Sequence, residues 1–182
     1  MQNRAQTLGQ APLRDLLAVL LRQHKRLLMT RGVELTEAGI RALAEQIASG
    51  QPAGERVDAL RTALIDIAAE SEQTLARWNL TFNQALATPV ADMPGWETTA
   101  EFLELANEKS NAELRIASAA ALLAALGDLR YADHLLAAIT HDPDEIETVT
   151  ARRVLSRLSG IAPDAPDWQA QINDWLGRAR TG

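Results

Sequence analysis

Residues 111–160 decide the fold, and they read NAELRIASAAALLAALGDLRYADHLLAAITHDPDEIETVTARRVLSRLSG. A shift of 32 positions brings the first apolar stretch onto the last, which places Glu113 on Glu145 and Leu123 on Leu155. A period in the low thirties with two helices per unit is typical of a stacked helical repeat. The stretch therefore predicts packed helices that offer an extended surface for binding, without identifying what is bound.

The repeat resembles HEAT-like repeats of the short bacterial kind over residues 111–180. Those repeats join an Ala/Leu-rich first helix ending in Leu-Gly-Asp to a second helix and an Asp-Pro-Asp turn. Leu126-Gly127-Asp128 and Asp142-Pro143-Asp144 stand at the corresponding places, whereas the second repeat reads Leu158-Ser159-Gly160. The resemblance implies an all-α, α-solenoid-like helical array with a C-terminal pair of HEAT-like repeats.

The composition also favours helices. Apolar residues make up 47% of the 182 residues, only seven residues are aromatic, and no segment alternates as a strand would. We expect seven or eight helices and a helix content above about 60%. The absence of cysteine excludes disulfides and thiolate metal sites, and the net charge of −6 argues against nucleic acid as a general partner. No apolar run approaches the roughly 18 residues that span a bilayer, and no export signal is evident, so we expect a cytoplasmic protein.

Gly and Pro divide the chain into an N-terminal helical region (1–88), a linker (89–95) and the repeat region (96–182), which together could pack as one domain. Residues 1–10 are expected to fray. The first helix is expected to run from Leu13 to a C-cap at Gly32, and the second from an N-cap at Thr36 to Gly50. No Gly or Pro interrupts residues 55–88, which predicts one long helix; a break near residues 70–73 is left open. Its apolar core stripe is expected to include Trp78, Phe82 and Leu86. The next helix is expected to begin at Thr98 or Thr99 and to end near residues 109–111, and the last to begin at Pro166 or Asp167.

Two histidines, His134 and His141, lie seven residues apart, near several aspartates. The Asp-Pro-Asp sequence is explained by a turn, so we predict no metal site and no cofactor. There is no Gly-rich phosphate loop, nucleophile elbow or His-Glu-x-x-His motif, so we predict no catalytic residues. His24 is interpreted as a partly buried residue.

Five residues are candidates for an interface: Arg22, Lys25, Arg26, Trp168 and Trp175. The three basic residues belong to the first 31 positions, which carry six basic residues against one acid, whereas residues 92–113 carry six acids against one lysine. The two tryptophans lie seven residues apart on the last helix and either cover the end of the core or offer a contact surface.

The predicted function is protein–protein interaction or scaffolding. The main alternative is an enzyme, or a lyase accessory subunit, that acts on a bound small molecule, because some proteins with HEAT-like repeats do so. A third hypothesis is nucleic-acid binding through the basic first helix, which requires its basic residues to form one continuous face. The first helix carries more leucine than one packing face needs, so we also consider a homodimer that covers the excess.

Overall fold

The computed structural model describes residues 10–89, 92 and 96–182, except the side chains of residues 96–99. Helix makes up 77% of the structure, and the described residues form eight helices without a strand, which confirms the all-α prediction. The predictions for residues 1–9, for most of the linker and for the side chain of Trp96 lie outside the described residues. The predicted helix start at Thr98 or Thr99 was wrong, because this helix already begins at Trp96. The helices are α1 (Leu13–Gln23), α2 (Lys25–Met29), α3 (Glu37–Ala48), α4 (Glu55–Ala87), α5 (Trp96–Ala125), α6 (Ala132–His141), α7 (Ile146–Ser159) and α8 (Trp168–Thr181).

The first predicted helix is divided in the structure. α1 ends at Gln23 and α2 begins at Lys25, because His24 leaves the helical conformation with φ −102° and ψ 9°. α1 packs mainly on α3 and also contacts α7 and α5. Its leucines are therefore covered within one chain: Leu16, Leu17, Leu20 and Leu21 are at most 2% exposed.

The N-cap predicted at Thr36 is confirmed, since its hydroxyl oxygen accepts a hydrogen bond from the amide of Gly39 at 3.0 Å. The long helix α4 is unbroken. Ser71, within the segment where the sequence permits a break, is buried and donates its hydroxyl to the carbonyl of Ile67 at 2.7 Å. A satisfied side-chain hydrogen bond of this kind is compatible with a continuous helix.

The prediction that a helix ends near residues 109–111 was wrong, because α5 runs unbroken through them. The Lys109 ammonium lies 2.7 Å from the Glu113 carboxylate one turn later, an interaction that favours the helix there. The Ser110 hydroxyl donates to the carbonyl of Ala106, which satisfies it within the helix. α4 and α5 consequently form a long antiparallel hairpin, the most extensive helix pair of the fold.

The two copies of the 32-residue repeat bury equivalent positions. Leu122 and Leu123 are fully buried in α5, and Val154 and Leu155 are at most 2% exposed in α7. Each of these helices is followed by a left-handed glycine, Gly127 at φ +85° and Gly160 at φ +77°. α5 is more than twice as long as α7.

Residues from both halves of the chain share one hydrophobic core, which contains side chains from α1, α3 and α4 together with side chains from α5 to α8. Two arginines of α7 bond across this boundary: Arg153 donates to the carbonyl of Ala11 and Arg157 to that of Ala48. None of the helices in the described ranges has the length and hydropathy required to cross a bilayer.

Candidate protein-binding groove

The distal part of the α4–α5 hairpin forms an arm, which we define as residues 76–87 of α4 and 96–111 of α5. No described side chain of the arm is buried. Just before the arm, α4 is tied to parts of the chain other than α5, where Glu70 pairs with Arg31 and Glu72 pairs with His134. At 1.5 Å per residue the α4 side of the arm is about 18 Å long.

Aromatic side chains join the two helices of the arm. The ring centroid of Trp78 lies 5.0 Å from that of Phe102 and 5.6 Å from that of Phe82. The Lys109 ammonium lies 5.9 Å from the Trp78 ring, and Arg77 forms an ion pair with Glu108. These contacts hold the two helices side by side. Positions on α4 can therefore be matched with positions on α5 at the same distance along the arm, and we call each such distance a level.

Both helices carry a second row of side chains with heptad spacing. On α4 the row is Leu75, Asn79, Phe82 and Leu86, and on α5 it is Leu103, Asn107, Ser110 and Leu114. Successive members are four, three and four residues apart in both rows. This spacing keeps side chains on one face of a helix and is the spacing by which helices pack on one another.

The two rows line one groove. Leu75 of α4 lines the same cavity of about 520 Å³ as Ser110 and Leu114 of α5. Toward the end of the arm the rows continue as exposed apolar side chains, with Phe82 40%, Leu86 70% and Leu103 58% exposed. We call this surface, from Leu86 and Leu103 down to the cavity, the arm groove.

At the base of the hairpin, α6 packs on α5 beside this groove. The α5 row continues there at Ala117 and Ala121, which are 4% and 0% exposed. On the α4 side, Glu72 precedes Leu75 in the row and bonds to Nε2 of His134 on α6 at 2.9 Å. α6 ends at His141, which lines the cavity, so no described helix covers the groove along the arm.

Two hydroxyl groups and two histidines line the cavity at the junction of the arm groove and α6. Ser110 donates to the carbonyl of Ala106, and Thr148 donates to the carbonyls of Asp142 and Glu145 at 2.6 and 2.8 Å. Both hydroxyls are thus engaged with the backbone. Among the described residues no three His, Asp or Glu side chains are grouped so as to hold a metal ion.

The surroundings of the arm groove are acidic. The cavity is lined by the carboxylates of Glu113, Asp142 and Glu147 and by a single ammonium, that of Lys109. Residues 78–107, which include most of the arm, contain four acidic residues and no Lys, Arg or His. The C-terminal end of α6 adds the partial negative charge of its last carbonyls.

Of the three basic residues predicted for an interface, Arg22 forms an ion pair within the chain. Arg22 is exposed and donates from Nε to the Glu37 carboxylate at 3.2 Å; this hydrogen bond, with the charge of Arg22, holds the pKa of Glu37 below its usual range. Arg14 and Arg31 pair with Glu45 and Glu70. Lys25 is half-buried and Arg26 is exposed, both in the first turn of α2.

The two tryptophans of α8 lie at the other end of the molecule's core. Trp168 is 3% exposed; its indole N–H donates to the Ser156 hydroxyl at 2.8 Å, and the Arg152 guanidinium lies 4.6 Å from its ring. Trp175 is half-buried and packs against the core. Trp168 therefore covers the core, and only Trp175 keeps part of its surface open.

The prediction that Trp78, Phe82 and Leu86 continue the core stripe of α4 was wrong, since Trp78 is only half-buried and the other two are exposed. The reason is that α4 is longer than the core that covers it, which reaches only to about Leu75. The row of Leu103 and Leu114 was not identified from the sequence, although its heptad spacing is visible there once α5 is known to be continuous.

No protein-family model, curated protein or solved structure matches this chain.

Proposed function

We propose that this protein is a protein-binding module and that its arm groove accepts an α-helix of another polypeptide. The observation that supports this function is an uncovered groove between two paired helices. α6 borders it at the base of the hairpin, and heptad-spaced apolar side chains line it along the arm. Proteins that bind amphipathic helices use such grooves, with anchors spaced by three or four residues.

Burial of the exposed row would supply the binding free energy. Leu86, Leu103 and Phe82 each expose a large part of an apolar side chain, and transfer of apolar surface from water contributes about 25 cal/mol per Å². Four of the seven large apolar residues exposed in the described part of the chain line the arm groove or the cavity at its base: Phe82, Leu86, Leu103 and Leu114. Monomeric proteins rarely keep contiguous apolar surface of this kind without a use for it.

The HEAT-like character of residues 111–180 is part of this proposal. It is supported by the equivalent burial of Leu123 and Leu155 and by the left-handed glycines at 127 and 160. In this interpretation α5 is the first helix of a repeat, extended at its N-terminal end to build the arm. The extension converts a short repeat into a docking surface.

Photo-crosslinking at a single position tests the function. A benzophenone amino acid at position 82 would face the arm groove, whereas the same amino acid at position 80 would not, because Leu80 lies about 120° around α4 from Leu86. Leu80 is 62% exposed, so both probes are accessible. In cells that express the protein, we expect a crosslinked polypeptide from position 82 and none from position 80. Absence of a product, or the same product from both positions, would reject the groove as the binding site.

An enzyme that acts on a bound small molecule is the second candidate, favoured by one observation. His134 and Glu72 form a hydrogen-bonded pair beside the cavity, and such a pair can hold an imidazole in position as a base. Thermal-shift screening of small molecules against wild type and His134→Ala distinguishes the candidates. A ligand whose stabilising effect is lost in His134→Ala would support the enzyme.

A further inference from the structure

We propose that the helix bound by the arm groove is a basic amphipathic helix, with two apolar anchors seven residues apart and an amide side chain between them. This inference rests on the proposed function and specifies its partner. It follows from the levels of the groove and from the charge that surrounds it.

The groove has a defined order of levels. The Arg77–Glu108 ion pair sets an antiparallel register in which Phe82 falls near the level of Leu103 and, one turn toward the base, Asn79 falls near that of Asn107. A further turn places Leu75 beside Ser110. From the open end toward the base, the groove therefore presents apolar side chains, then the amides of the two asparagines (the amide level), and then a leucine with a serine. Successive levels are about 5 Å apart.

The amide level determines the register of the occupant. Both Asn79 and Asn107 are exposed in the free chain and would be covered by a docked helix. Covered amides must find hydrogen-bond partners, since an unsatisfied buried polar group costs about 1–3 kcal/mol. A partner helix with Asn or Gln at this level supplies donors and acceptors, and a single polar position of this kind also fixes register in coiled coils.

The charge determines the flanks of the occupant. Three carboxylates and one ammonium line the cavity at the base, and Glu101 and Glu104 are exposed along the arm. Residues 73–87 of α4 contain no carboxylate, so Lys and Arg would be attracted on the flank of the docked helix that faces α5 and at its end near the cavity. Two arms of this chain would instead bring like charges together, which disfavours a second copy as the occupant.

The length of the partner helix follows from that of the groove. From Leu86 to Leu75 the row spans eleven residues, or about 16 Å. Beyond Leu75 the groove opens into the cavity that the C-terminal end of α6 lines. A helix of about three turns therefore fills the arm groove.

Synthetic helical peptides of about 14 residues test the proposal, whatever the natural partner is. Each stapled peptide carries Leu at two positions seven apart and Asn four residues after the first Leu, with flanks of Lys and Arg in one peptide and of Glu in the other. A third peptide has basic flanks and Leu in place of Asn. Affinity for the full chain is measured by fluorescence anisotropy.

We expect the basic Asn-containing peptide to bind at least about tenfold more tightly than the acidic one, as two or three favourable ion pairs would give. Phe82→Glu should abolish binding, whereas Leu80→Glu, on another face of α4, should not. Glu104→Lys combined with Asp142→Lys should remove most of the preference for the basic peptide. Circular dichroism of each variant checks that the helices are retained.

Four outcomes would overturn the inference. Equal or tighter binding of the acidic peptide rejects the charge assignment, and equal or tighter binding of the all-Leu peptide rejects the amide level. Sedimentation showing a dimer that Phe82→Glu dissociates would identify a second copy as the occupant. Failure of all three peptides to bind would reject the proposed partner chemistry, while a crosslinked product from position 82 would still support the protein-binding function. If no peptide bound and position 82 gave no crosslinked product, both proposals would be rejected.

Discussion

The indole of Trp78 packs against the ring of Phe102 across the arm, with centroids 5.0 Å apart. This contact joins the two helices at a level where no other described helix supports them. Replacement of Trp78 by Ala should therefore loosen the arm and leave the core unaffected. An aromatic pair contributes about 0.5–1.5 kcal/mol beyond area burial, which predicts a roughly two- to tenfold faster amide exchange in residues 76–87 and 100–108.

Hydrogen-exchange mass spectrometry measures this effect peptide by peptide. Leu80→Ala is the matched control, because Leu80 lies on the same helix and is 62% exposed. Unchanged exchange in the arm of Trp78→Ala, or equally faster exchange in α3 and α7, would contradict the independence of the arm.

A second prediction concerns the acid side of the stability profile. Nε2 of His24 is buried without a hydrogen-bond partner, and burial, followed by the charge of Arg115, lowers the pKa of His24 below its usual 6.5. As pH falls below 6.5, the unfolded chain takes up a proton at this histidine before the folded chain does. The free energy of unfolding should therefore fall from about pH 6.5 downward until the lowered pKa is passed.

Urea unfolding of wild type and His24→Leu at about pH 7.5 and about pH 5.0 tests this prediction. The variant should lose less stability between the two values than wild type, because leucine does not titrate. Parallel profiles for wild type and His24→Leu would contradict the assignment.

A third prediction concerns the contact between α3 and α7. Gly50 has φ +82°, and a Cβ atom placed there would lie 2.5 Å from Nη2 of Arg157, whose other Nη donates to the carbonyl of Ala48. Gly50→Ala should strain the backbone at this positive φ and break the hydrogen bond of Arg157. We expect the free energy of unfolding to fall by about 2–4 kcal/mol.

Gly32→Ala is the control, since Gly32 has φ +84° and a Cβ atom placed there would meet nothing within 4 Å. Gly32→Ala should lower the free energy of unfolding only by the strain of a non-glycine residue at positive φ, about 1–2 kcal/mol. In an Arg157→Ala background the two glycine substitutions should become equally costly in urea unfolding. A difference that persists there would mean that Arg157 is not its cause.

A fourth prediction concerns the end of the core. Trp168→Phe removes the indole N–H and leaves the Ser156 hydroxyl, which belongs to a residue 7% exposed, without its donor. We expect a loss of about 1–2 kcal/mol in the free energy of unfolding. Adding Ser156→Ala to Trp168→Phe should cost less than Ser156→Ala alone, because the two side chains share one hydrogen bond. Additive losses would show that this bond contributes nothing.

Much of the helical layout could be predicted because local signals determine it. The N-cap at Thr36, the glycine at position 50 and the absence of Gly and Pro from residues 55–88 fix the bounds of α3 and α4. The alanines around Leu122 also indicate a close-packed helix correctly. These features act within one or two turns, so composition and spacing reveal them.

The arm could not be predicted, because an apolar stripe does not disclose what it packs against. Phe82 and Leu86 continue the stripe of Leu64 and Ile67, and only the tertiary arrangement shows that the covering helices end earlier. The interruption at His24 was also missed, since the apolar pattern of α1 and α2 is consistent with one helix. Lys109 and Ser110 looked like a helix end because their side-chain interactions with Glu113 and Ala106 depend on the helix itself.

The continuity of α5 links the orientation of the arm to that of the core. One residue inserted between Ala112 and Ala117 would turn everything before it by about 100° relative to everything after it. Leu103 would then point away from the line of α6, although every side chain of the groove would still be present. The number of residues in α5 therefore determines which way the arm groove faces relative to the core. A change in that number would rotate the groove without changing the side chains that line it.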